Sequence, residues 1–566
     1  MENKFVDYLN TLHNEKSNNS NALAESQINN TVFKKIEVIR PASGYIQNRI
    51  VNNDEGCLIV LTGHAGDGKT TLLYQTLESL NVKPNGKAVN ETVQLESGKQ
   101  LHFVKDFSEL TAYDRKIIFQ EALEDSNKGV YTIIVANTGP LIDTFKTVFE
   151  NEENAEAEII NCIDSVENYE KKVHGYSLLV LNIALLDNTN FIEPYIENIL
   201  SFDAWSKCEE CADSNKCPVY RNIRLLRSHK QALEFVRDFY IWELEHDRRA
   251  TIRQISAHIA YSITGGLTCS DIAVKNFKST DYLFSNLLFG DIGQSRKKQA
   301  SQIRGIKMIN DLRLDSVSTT FDYALYVQKK YNDIFVEDAD VANVYSYLDG
   351  VSNKKISNDD KRTQLKRLML VFSRNLEEER EQLYQDIFST YYPKYLKMRK
   401  GFLKPKSDLK KMIYQALRIT FAGIGKEEED IYITLRRSGE NIQNVQLLIG
   451  RININDLDVV SIQLNNSDVA GQAIYRLELR YNGGIAKKSI LVTLPLLNYF
   501  EKIVKGMIIT RIDPLLSYGI ESLKSELLSV CSRTSLDGNE IEVLVQTDEG
   551  CRRRKMHFEA NRISSS

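Results

Sequence analysis

The 566 residues predict an α/β core in which a parallel sheet is covered by helices, and three observations carry that reading. Four apolar, β-type runs begin near Leu58, Leu101, Tyr131 and His174, and helical patterns separate them. That alternation is the signature of parallel strands joined by crossover helices. The first run, Leu58 to Leu61, passes directly into a glycine-rich loop and then into a helix-forming segment, Thr71 to Leu80. With 42% apolar and 26% charged residues the composition is that of an ordinary globular protein.

The loop, GHAGDGKTT, fulfils the spacing GxxxxGKT through Gly63, Gly68, Lys69 and Thr70, with an additional Gly66. Glycines let successive backbone N–H groups converge on phosphate oxygens, and the next helix begins with its positive end at the same point. Lys69 is placed to reach the β- and γ-phosphates, the Thr70 hydroxyl to sit on Mg²⁺, and Thr71 to approach the α-phosphate. The strand before and the helix after are the context this motif requires. The core is therefore read as a P-loop NTPase of AAA/STAND-like type, with ATP and Mg²⁺ as its cofactors.

Such a nucleotide site needs an acid at a strand end to hold Mg²⁺ through water. Asp106, after the run LHFV, is placed for that Walker B role, and Glu109 is the nearest acid to orient an attacking water. Asp106 as a surface acid on an earlier strand is the competing assignment. Asn137, closing YTIIVAN, fits a γ-phosphate sensor if Asp106 is Walker B. Three arginines further on, Arg248, Arg249 and Arg253, suit contact with phosphate across a helical lid or from a neighbouring subunit. Arg253 is preferred, because Thr251 signals a helix start just before it.

The net charge of −4 points to no polyanionic partner for the whole chain. No apolar run is long enough to span a bilayer and the N-terminus lacks a signal-peptide layout, so no membrane association and a cytoplasmic location are expected. Eight cysteines are too sparse for a disulfide scaffold in a chain of this length. Three of them, Cys208, Cys211 and Cys217, lie in the polar stretch CEECADSNKC, good thiolate spacing for Zn²⁺. Cys269 is chosen as the fourth ligand, with His229 and Cys162 as competitors. A closed four-ligand shell holds structure and does no chemistry.

Five regions follow: a helix with a polar arm (1–30), the ATPase core (31–200), a zinc knuckle with helical lid (201–290), a helical region (291–425) and a C-terminal α+β domain (426–566). The arm, KSNNSNALAESQINN, reads as mobile. In the helical region the run KYLKMRKGFLKPKSDLKK interleaves Tyr395 and Phe402 with lysines and arginines, either a solvated connector or a phosphate-backbone contact. The last region alternates with period two, and Asn482-Gly483 marks a hairpin. A second hairpin carries Arg552 to Lys555 at its start.

Together GHAGDGKTT, KDFSE, VANTG, CEECADSNKCPVYRN, TIRQ and ITGGLTC resemble the DptF family, the ATPase component of bacterial phosphorothioation-dependent DNA restriction systems. The resemblance covers residues 55 to 290 and is one of general layout beyond 300. It implies an ATPase that works with partner subunits of a restriction complex against DNA lacking backbone sulfur, engaging DNA through that complex, with a homo-oligomer as a further expectation. It also implies Lys69 and Thr70 as the P-loop pair and Asp106 as the metal-coordinating acid. The chain departs from the pattern in having no Glu beside Asp106 and in carrying Thr138 where an acid is expected. Two rivals stand beside it: a nucleotide-gated scaffold that does not hydrolyse, and a STAND-type sensor that oligomerises on a trigger.

Overall fold

The computed structural model describes residues 2–13, 30–84, 89–278, 280–292, 300–334, 339–373, 377–425, 428–435, 444–464, 467–482, 488–507, 512–530, 532–533, 540–547, 550–559 and 562–565. The chain divides into two compact units, one of residues 1–383 with 465–472, the other of 384–464 with 473–566.

In the first unit, helices α1 (Lys4–Thr11), α2 (Thr31–Ile36) and α3 (Pro41–Asn52) precede strand β1 (Cys57–Thr62) and helix α4 (Lys69–Ser79). Strands β2 (Asn90–Gln94) and β3 (Gln100–Val104) lead to helix α5 (Ala112–Ser126) and β4 (Tyr131–Val135). Helices α6 (Thr138–Val148) and α7 (Ala155–Ile163) then come before β5 (Glu170–Val173) and β6 (Tyr176–Asn182). The six strands form one sheet in the order β2-β3-β4-β1-β6-β5. Strands β3, β4, β1 and β6 run parallel, as the sequence predicts.

The two edge strands correct the expectation of a wholly parallel sheet: β2 and β5 pair antiparallel with β3 and β6. Both are short and polar, and each reaches its partner through a tight connection, Gln94 to Gln100 and Val173 to Tyr176. A parallel pair needs a crossover of a dozen or more residues, which those links cannot supply.

All six residues of β1 are buried, as expected of a strand covered on both faces. Cys57, Ile59 and Leu61 face α3 and α4 through Ile46, Ile50, Leu72, Leu73 and Leu77. Leu58 and Val60 face α5, α6 and α7 through Phe119, Leu123, Leu141, Phe145 and Ile159. Alternation along a strand thus builds a three-layer core with the loop after β1 at one rim.

Beyond the sheet the unit is helical. Helix α8 (Ile192–Ser201) is followed by α9 (Ser206–Glu209), α10 (Pro218–Ser228), α11 (Lys230–Glu245), α12 (Ile252–Thr264) and α13 (Cys269–Val274). Thr251 and Gln254 close a capping box on α12, the start signal read from the sequence. Helices continue through 304–312 and 358–372.

Two buried titratable groups in this helical part oppose one another. Burial pushes the Glu243 carboxyl from its ordinary 4.5 up to about 7, although Arg248 pairs with it at 2.8 Å and Arg304 also favours its charge; Asp311 adds to the rise. Burial also drops His258 from 6.5 to about 4, with its ring nitrogens held by the Tyr240 hydroxyl and the Leu288 carbonyl. An acid raised on folding binds more protons in the native state, so its contribution falls as pH rises from about 4.5 to about 7. A depressed histidine does the reverse, losing stability as pH falls from 6.5 towards 4. Glu243→Gln is therefore expected to raise the urea midpoint at pH 8 and leave it nearly unchanged at pH 5. The acid loss due to His258 should then stand uncovered in the variant's pH profile.

The second unit is α+β. Strands β7 (Asp430–Thr434) and β8 (Val445–Asn453) pair antiparallel. β9 (Leu457–Gln463), β10 (Tyr475–Tyr481) and β11 (Lys488–Leu491) form a three-stranded antiparallel sheet in the order β11-β10-β9. Gly483 of the expected turn lies outside the described residues, but the strands it was to join do pair. β12 (Ser532–Arg533), β13 (Glu540–Thr547), β14 (Gly550–Glu559) and β15 (Arg562–Ser565) extend the β7–β8 pair, and β13–β14 is the second expected hairpin. Arg552 to Lys555 lie within β14, where Arg553 and Lys555 approach Glu542. The basic run is divided between helices 392–399 and 407–422. Tyr395 and Arg399 are buried, while Phe402 in the connection is 82% exposed. Among the described residues no helix is long and apolar enough to cross a membrane.

Candidate functional site

The loop between β1 and α4 has the backbone its glycines predict. Gly63, Gly66 and Gly68 have φ of 139°, 89° and 84°, values that an L side chain rarely adopts. Gly68 is the residue before the first turn of α4 and Leu72 N–H donates to its carbonyl at 2.9 Å. The Lys69 ammonium folds back and donates to the carbonyls of Gly63 at 3.0 Å and His64 at 2.9 Å. Burial lowers its pKa, Asp67 opposing and Arg253 adding to the fall.

Beside this loop lies a cavity of about 410 Å³. Its wall brings together Gly66, Gly68, Lys69, Thr70 and Thr71 with Asp106, Glu109 and Arg253. Asp106 follows β3 and opens a 3₁₀ turn, with Glu109 N–H donating to its carbonyl at 3.0 Å. Asn137 caps α6 and is not on the cavity wall; its N–H donates to Ser108 Oγ at 2.7 Å, tying the tip of β4 to the Asp106–Glu109 turn. β4 itself lies between β1 and β3.

The three arginines expected on a lid part company. Arg248 pairs with Glu243. Arg249 reaches the loop and pairs at 2.6 Å with Asp67, a side chain with no exposed surface, and donates to the Ile183 carbonyl at 3.0 Å. Arg253 stands on the cavity wall, its own N–H donating to the Gly66 carbonyl at 3.3 Å. The segment 249–253 thus holds Gly66 and Asp67 from one side.

Arg40 holds the loop from the other side, and sequence reasoning passed over it. Its Nη2 donates to the Asp67 carbonyl at 2.7 Å, its guanidinium stacks 5.1 Å from the Phe191 ring centroid, and Nη1 is buried without a hydrogen-bond partner. Burial, with the Arg249 charge adding to it, drops its pKa to about 10 against the pull of Asp67. The available signal was Arg40-Pro41: proline marks the first turn of α3, and an arginine before it makes no side-chain cap. Asn188, also on the wall, gives its amide to the Ala250 carbonyl at 3.1 Å and leaves Oδ1 buried and unpaired. Buried polar atoms without partners are uncommon in folded chains and fit a site that takes a polar ligand.

Cys208, Cys217 and Cys269 come into one neighbourhood. Asn3, buried at the start of α1, donates its backbone N–H to the Cys269 sulfur at 3.4 Å and its amide to the Cys208 sulfur at 3.2 Å. Burial pushes Cys217 up to about 11, and the Cys208 and Cys269 sulfurs add to the rise. Cys208 is raised likewise by burial and by Cys269 and Cys211. Among the described residues, however, no three His, Cys, Asp or Glu side chains converge closely enough to hold an ion as placed. Cys162 is buried in the sheet's helical layer and His229 packs on Phe372, so neither of the competing fourth ligands is drawn to the group.

Compared with protein-family models, with curated proteins and with solved structures, the chain matches none.

Proposed function

We propose that this chain is a P-loop ATPase that binds ATP with Mg²⁺ at the loop Gly63–Thr71. The observation that carries the reading is the cavity in which Gly66, Gly68, Lys69, Thr70 and Thr71 share a wall with Asp106, Glu109 and Arg253. Backbone N–H groups and Lys69 would hold the phosphates, and Thr70 with Asp106 would hold the metal, which supplies charge neutralisation at the transferred group. Arg253, on the cavity wall, would offer a cation for charge that develops there. The cavity wall supports Asp106 over the surface-acid assignment, because Asp106 lines it and Asn137, at the tip of β4, does not.

The wider role proposed is that of the ATPase subunit of a phosphorothioation-dependent DNA restriction complex, which rests on the resemblance of residues 55–290 and not on the cavity. The test is steady-state ATP hydrolysis by the purified chain, with and without unmodified double-stranded DNA. Turnover that rises with DNA supports the restriction role. A specific observation favours a second reading, the scaffold that does not hydrolyse. Glu109 is exposed and stands three residues past Asp106, a poor position from which to orient water. Binding without turnover in both conditions would select it.

For the cysteines we propose structural zinc on Cys208, Cys211, Cys217 and Cys269, supported by the shared Asn3 contact and by the thiolate preference of that ion. One zinc per chain is expected by elemental analysis, and Cys208→Ser with Cys211→Ser should remove it. Less than stoichiometric metal in the wild type, or retention in the variant, discards the assignment.

A further inference from the structure

The loop makes up only part of the cavity wall. The rest includes apolar side chains from other segments: Tyr8 and Leu12 of α1, Phe33 of α2, and Phe191 and Tyr195 at the start of α8. One acid stands among them. Glu37, the residue that ends α2, is half-buried on this wall and accepts from Gln75 Nε2 at 3.3 Å. Burial raises its carboxyl, the Gln75 hydrogen bond opposing. A half-buried carboxylate seeks N–H donors to offset its lost water. Aromatic side chains with a few polar groups among them suit a heteroaromatic ring.

We propose that this slot seats a purine base carrying an exocyclic amino group, with the Glu37 carboxylate accepting from that amino group, so that α1 and α2 are part of the ligand site. The inference rests on the phosphate-loop reading of Gly63–Thr71 and adds to it the identity of the group bound beside the phosphates. Phosphate affinity and base affinity then reside in different parts of the chain, and each can be removed without the other.

The experiment is calorimetric binding of ATP, GTP, ITP and inorganic tripolyphosphate to the full chain, as wild type, Glu37→Ala, Glu37→Gln and Lys69→Ala. ITP lacks the amino group. A hydrogen bond to a charged acceptor predicts that ATP or GTP binds about 10–100-fold more tightly than ITP. Glu37→Ala should bring that nucleotide to the ITP level while tripolyphosphate binding, which reports an intact loop, stays unchanged. Glu37→Gln should keep part of the preference. Equal affinity for ATP, GTP and ITP, or tripolyphosphate binding as tight as any nucleotide and dependent on Lys69, overturns the base slot and leaves the phosphate loop standing. Failure of all four to bind in a Lys69-dependent way overturns the loop reading and the slot with it.

Discussion

Lys69→Ala is expected to cut ATP turnover by about 10²–10³-fold, the cost of removing one preorganised donor from a site of developing negative charge. The magnitude follows from geometry. In the structure the ammonium is not waiting in solvent; it donates to the Gly63 and His64 carbonyls at 3.0 and 2.9 Å. A γ-phosphate would replace those neutral acceptors with charged ones and add ion-pair attraction to each hydrogen bond. Lys69→Arg should fail to rescue, because a planar guanidinium cannot occupy the space of a compact ammonium within this turn. Binding should be read by calorimetry beside turnover. If both survive Lys69→Ala, phosphate is not held by this loop.

The second large effect is expected at Arg249. Its partner Asp67 has no exposed surface, and the two lie 182 residues apart in sequence. Removing one member of a buried pair leaves an uncompensated charge and costs about 3–5 kcal/mol. Arg249→Met should therefore lower the stability of the first unit by that amount in urea unfolding. Asp67→Asn in the same chain should restore more than half of it, since the amide has no charge to strand. The loop is also expected to weaken: Asp67 Oδ2 accepts from the His64 N–H at 3.0 Å, so the acid orients the loop backbone as well as pairing with Arg249. A small stability change in Arg249→Met, with no recovery in the double variant, would remove the pair from any account of loop geometry.

What was legible in the sequence follows from how local its cause is. Leu58 to Leu61 and the glycines after them announce strand, turn and helix within one window, and the structure has them there. The capping box at Thr251 is equally local. The edge strands were not, because β2 and β5 are polar and gain their place only by pairing with a buried neighbour. The helix α1 was legible as such, but not its cover: Phe5, Val6 and Leu9 are buried, and an eight-residue pattern does not say against what. Arg40, Asp67 and Arg249 were invisible as a group, since hydrogen bonds across 27 and 182 residues leave no period to detect. Of the three polar candidates after strands, Asp106 and Glu109 stand on the cavity wall and Asn137 does not, a distinction that strand-end position alone could not make.

The first unit owns a segment that the ribosome delivers late. Residues 465–472, between β9 and β10, belong to it by packing, and Val469 completes the apolar cluster of Ile46, Ile50 and Leu73. Gly471, with φ of 77°, sits so close to Pro41 that an added Cβ would come within 2.4 Å of its ring. Vectorial synthesis therefore finishes everything up to Leu383 and leaves a gap in the layer beside α3 until the chain has grown past Val469. At about 5–20 residues per second that interval lasts on the order of several seconds. During it Ile46 and its neighbours lack part of their cover, and the nascent chain has a defined period in which a chaperone would find an apolar surface to hold.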